Sequence, residues 1–144
     1  MSLEISGTVQ PHPIQVTKGR YDPASVIGYI GRRVYYDSVY ELTNTADRPI
    51  PIYIEFVPGG WEYAGTPDMS RVEHLRVSIR KDETEVVQVE IRDGMLEKSS
   101  GSDTPITLGP GEKALVTLLL RFAPTAAQND KFRLRLELVT PPGA

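Results

Sequence analysis

A chain of 144 residues, 40% hydrophobic and 24% charged, has the make-up of one globular domain and excludes disorder throughout. The net charge of −3, with only Arg32-Arg33 and an interrupted basic stretch over 71–81, argues against a nucleic-acid surface. With no cysteine there is no disulfide, thiolate nucleophile or zinc–thiolate site.

The opening Met1-Ser2-Leu3-Glu4-Ile5-Ser6 lacks the basic and apolar regions of a signal peptide. The longest apolar run, 114–120, falls far short of the ~18 residues that span a bilayer. The expectation is no membrane insertion. Localisation stays open between the cytoplasm and, for a mature form whose signal was removed, the cell surface or the outside.

In chain order, Leu3, Ile5 and Val9 alternate as a first strand, and 14–16 reads as a short second one. Segment 18–33 is irregular: 22–27 admits one helical turn, while Gly28 and Gly31 favour a loop. Val34, Tyr36, Tyr40 and Leu42 are in phase, then Asn44-Thr45-Ala46-Asp47-Arg48-Pro49 reads as a loop. Ile50, Ile52, Ile54 and Phe56 form the next apolar face. A Gly-rich loop over 58–65 and a short helix over 69–75 are expected to follow. Val77 and Ile79, then Val87, Val89 and Ile91, alternate with polar residues on either side of a Lys81-Asp82-Glu83-Thr84 turn. Stretch 94–104 reads as a mobile polar loop, and Gly109-Pro110-Gly111-Glu112 as a turn using Gly for positive φ. Segment 114–122 is apolar on both faces and is expected to be covered on both sides. Phe132, Leu134, Leu136 and Leu138 give the cleanest alternation in the chain.

The pattern predicts an all-β fold: an immunoglobulin-like or jelly-roll β-sandwich of about seven to nine antiparallel strands. It forms one domain over 1–144, with 1–18 an N-terminal strand segment open to exchange and 140–144 a tail.

Chemistry-bearing residues are sparse. His12 sits between two prolines, and His74 lies near Asp68 and Ser70 without any motif that would make a catalytic triad of them. No catalytic residue is assigned. No zinc motif exists, and no metal site is assigned. Calcium stays open because its oxygen ligands can come from scattered loops, with Asp22, Asp37, Asp47, Asp68, Asp93, Asp103 and Asp130 as turn residues that supply such oxygens. No other cofactor is expected. Glu55 and Glu62, flanking Trp61, are the best carboxylate pair for glycoside cleavage, with a solvated strand face as the simpler account. The residues best suited to binding are Trp61, Glu62 and Tyr63, because rings on a loop can stack on sugars or anchor a protein. The competing account has Trp61 folding back to plug the sandwich.

Ile106-Thr107-Leu108-Gly109-Pro110-Gly111-Glu112 followed by an alternating strand resembles the ending of bacterial and archaeal Ig-like surface modules. Tyr40-Glu41-Leu42-Thr43-Asn44-Thr45-Ala46-Asp47-Arg48-Pro49 resembles their strand that ends in an Asn-Thr turn. Ala126-Ala127-Gln128-Asn129-Asp130-Lys131-Phe132 is similar to the end of camelysin/TasA-like matrix-fibre proteins and archaeal pilus subunits. About half of the chain carries this resemblance. It implies a secreted jelly-roll sandwich, some members of which polymerise by lending an N-terminal strand. The usual Gln-Gly is replaced by Arg133-Leu134.

The leading functional expectation is therefore a non-enzymatic structural or assembly module, its partner being itself or another protein. The alternative is a carbohydrate- or protein-binding module that uses the Trp61 loop. An enzyme would require a polar pocket holding His74 and a carboxylate.

Overall fold

Period-two alternation becomes extended strand along most of the chain, because each strand buries one set of side chains and exposes the other. The computed structural model describes residues 2–7, 14–18, 33–63, 70, 72–122 and 132–140. The strands are β1 (Ser2–Gly7), β2 (Ile14–Lys18), β3 (Arg33–Asn44), β4 (Ile50–Tyr63), β5 (Val72–Lys81), β6 (Thr84–Arg92), β7 (Met95–Lys98), β8 (Ile106–Leu108), β9 (Lys113–Phe122) and β10 (Phe132–Val139). There is no helix among the described residues.

One sheet has the order β1-β10-β4-β8, the other β2-β3-β9-β5-β6-β7. Every pairing is antiparallel except that of β1 with β10, which is parallel. The molecule is an all-β sandwich, as its alternation requires, and the two shortest strands, β7 and β8, bring the count to ten. Leu42, Leu75, Val77, Ile79 and Leu118 from the larger sheet join Ile50, Ile52, Ile54, Leu134, Leu136 and Leu138 from the smaller in one core. Strand β9 lies between β3 and β5, and even Leu119, on the face opposite Leu118, is buried. That accounts for its two apolar faces.

Two polar side chains fasten the sheets and turns. Asn44, fully buried, donates from Nδ2 to the carbonyls of Leu108 (2.8 Å), Arg48 (2.9 Å) and Gly109 (3.2 Å). Its Oδ1 accepts from the Ala46 amide at 2.8 Å. The Gly109-Pro110-Gly111-Glu112 turn closes with Glu112 N donating to Gly109 O at 3.0 Å, and Gly111 sits at φ 74°. That is the proline-then-glycine arrangement a type II turn demands. The Glu112 carboxylate accepts from the Gly109 amide and from Lys81 Nζ, and both bonds hold its pKa below the ordinary range.

Gln88 is the second fastener. A bulge between Val77 and Ser78 in the β5–β6 pairing shifts β6 out of phase. Gln88, expected on the solvent face, is therefore fully buried, whereas Val87 is half-exposed. Its Oε1 accepts from Ile54 N of the opposite sheet at 2.9 Å, and its Nε2 donates to Thr104 O at 3.0 Å.

Three further expectations are corrected. Residues 58–63 belong to β4, not to a loop: Pro58-Gly59-Gly60 form a bulge opposite Arg135, with Gly59 at φ 72°, after which pairing with β10 resumes. A Cβ at Gly60 would press on the Val57 and Arg135 carbonyls, so the close approach requires glycine. The helix expected over 69–75 gives way to strand from Val72 onward. Stretch 94–104 is not a free loop. Asp93 (φ 49°) and Gly94 (φ 74°) make a two-residue turn of the type favoured in hairpins, which leads into β7. Beyond β7, Phe56 N donates to Ser99 O (2.7 Å) and Gly101 N to Ile54 O (2.8 Å), fastening this segment to β4. His12, Asp68, the helical turn over 22–27 and the segment 123–131 lie outside the described residues.

Candidate functional site

A concave polar site lies where β5, β6 and β9 run side by side. Across these strands Arg121 pairs with His74, and His74 with Arg92, so a guanidinium, an imidazole and a second guanidinium share one row. A second bulge, between Val72 and His74, inserts Glu73 beside this row. The Asp93-Gly94 turn folds against it, Asp93 N donating to Glu73 O and Gly94 N to Val72 O, both at 2.8 Å. Bulges re-aim side chains in this manner, and a plain two-residue alternation cannot show where they fall.

His74 Nε2 lies 2.9 Å from Glu90 Oε2, with the two side chains 13% and 19% exposed. Arg92 reaches Glu90 through Nη2 and Glu97 through Nε, each at 3.4 Å, and Arg121 Nε lies 3.3 Å from Glu73. Burial alone raises the Glu90 pKa, but the His74 hydrogen bond and the charges of Arg92 and His74 outweigh it and hold the carboxyl below its ordinary value. Glu73, His74, Arg92, Asp93 and Arg121 line a cavity of about 210 Å³.

This is a polar pocket with His74 and carboxylates in it, the arrangement an enzyme would need, though not the one the sequence suggested. Ser70 is exposed, and His74 hydrogen-bonds to Glu90, sixteen residues away. A carboxylate–histidine dyad can fix the tautomer of a base. Among the described residues, however, the lining contains no hydroxyl or thiol nucleophile. Among the described residues no three His, Asp or Glu side chains gather where they could hold a metal ion. A wider hollow of about 560 Å³, lined by Glu41, Arg80, Asp82, Glu83, Lys113 and Leu115, has its Lys113–Glu41 pair at 3.2 Å.

The expected binding residues are spread along the end of β4, where Trp61, Glu62 and Tyr63 pair with Leu134, Arg133 and Phe132 of β10. Glu55 pairs with Glu137, four residues along β10 from the partner of Glu62. At about 3.3 Å per residue that is roughly 13 Å of strand. A glycosidase pair stands about 5–9.5 Å apart, so this register does not favour one.

The sheet edges form the other candidate surface. Strand β1 borders the smaller sheet and pairs only with β10 among the described strands. Its register sets Leu3, Glu4 and Ile5 against Leu134, Arg135 and Leu136. At one border of the larger sheet, β7 carries Met95 and Leu96, the only large exposed apolar side chains among the described residues. It is four residues long, bulged against β6, and bears Glu97 and Lys98, features that blunt an edge against aggregation. No protein-family model matches this chain, and no curated protein sequence matches it.

Proposed function

We propose that this chain is a structural assembly module that does no covalent chemistry and associates with copies of itself or another protein through its sheet edges, as a subunit of a cell-surface or extracellular filament would. The observation that carries the reading is the place of β1. It is an edge strand, it makes the one parallel pairing among the described strands, and Leu3 and Ile5 stand in register with the core residues Leu134 and Leu136. A strand paired on one side only can be lent to a neighbour at low cost, since the same backbone pairing re-forms between chains. Met95 and Leu96 on the opposite sheet supply a second, more guarded edge.

Molar mass in solution tests this. Light scattering over a wide concentration range should show oligomers or filaments, and deletion of residues 1–7 should abolish them while β10 remains folded. A monomer at every concentration, or assembly unchanged by the deletion, removes the reading.

A further inference from the structure

Within the His74 cavity three polar groups remain without partners among the described residues. Glu90 engages Nε2 of His74, which leaves Nδ1 open, an acceptor when the ring is neutral. Arg121 lies within ion-pair distance of Glu73 at Nε, which finds no hydrogen-bond partner there, and among the described residues its two terminal nitrogens pair with no carboxylate. The exposed Asp93 carboxylate makes no ion pair or hydrogen bond. A cation and an anion thus face one space of about 210 Å³ and do not bridge each other. The remaining guanidinium, Arg92, is divided between Glu90 and Glu97.

A ligand that satisfies this set must present a carboxylate to Arg121 and a multiple N–H donor to Asp93 and His74 Nδ1. A pure anion would meet the repulsion of Asp93 and Glu73, and a pure cation that of Arg121 and Arg92. The volume is below the about 300 Å³ at which drug-sized pockets begin, so the ligand is small. We infer that the cavity between β5, β6 and β9 binds a small zwitterion, a free α-amino acid, with its carboxylate on Arg121 and its ammonium between Asp93 and His74. This goes beyond the assembly reading and does not depend on it.

The chain has two histidines, so the His74 imidazole can be followed by NMR and assigned with His74→Gln. Glycine is the probe, with acetate and methylammonium as its two halves. Glycine should shift the His74 signals saturably in the millimolar range, and each half should bind about tenfold or more weakly. Asp93→Asn, which keeps a residue tolerant of positive φ, and Arg121→Gln should each weaken glycine by about tenfold or more. His12 signals should not move. No saturable shift at about 100 mM glycine, an equal shift from acetate alone, or glycine binding unaltered in both variants would overturn the inference.

Discussion

Gln88 shows how one side chain couples the two sheets. Removing it leaves the Ile54 amide buried without its acceptor, which costs about 2 kcal/mol. A methyl at Gly101 would overlap the Gln88 amide. Gly101→Ala should therefore destabilise the wild type strongly and a Gln88→Ala background much less, a non-additivity that a denaturant double-mutant cycle will register. Glu90 supplies a pH-dependent counterpart. Its pKa is lower in the fold than in the open chain, so its contribution is complete above the ordinary carboxylate range and disappears as pH falls through the folded value. Wild type and Glu90→Gln should differ most in denaturation midpoint near neutrality, and the gap should close on acidification below that range.

At the scale of elements, alternation made most strands legible. Ile50, Ile52 and Ile54, and Leu134, Leu136 and Leu138, are the core residues their spacing implies. The motifs around Asn44 and Gly109-Pro110-Gly111-Glu112, read separately in the sequence, turn out to be two halves of one hydrogen-bonded corner. What escaped were the bulges. Each shifts the phase of a strand by its extra residues, and so Gln88 went inside and the Pro58-Gly59-Gly60 stretch read as a loop. The Asp93-Gly94 hairpin signal was present in the sequence and would have located β7. The His74–Glu90–Arg92 cluster was not legible, because its members meet only through strand register. Trp61 now continues β4 opposite the core residue Leu134, and we expect Trp61→Ala to lower the denaturation midpoint. An unchanged midpoint together with lost glycan or protein binding would instead establish the Trp61, Glu62 and Tyr63 surface as a binding site.

For the whole molecule, the sandwich has four sheet edges, β1 and β8 on the smaller sheet and β2 and β7 on the larger, and two of them are treated differently. The β7 border carries a bulge and opposed charges, whereas β1 presents a short alternating segment. Unlike borders joined head to tail produce open chains, while like borders joined about a two-fold axis produce closed dimers. Light scattering would therefore separate the two symmetries, and repeating it on the 1–7 deletion and on a Met95→Lys variant would show whether β1 or β7 carries the contact.

The pairing of Ser2 with Arg133 has a consequence for biosynthesis. Within this fold β1 is synthesised before β10 and can dock only after β10 has emerged, and closing so long a loop is slow. Throughout that interval β1 lacks the strand it pairs with. If the chain assembles through β1 as proposed, chain concentration during synthesis sets how often that strand docks on its own β10 and how often on a neighbour's.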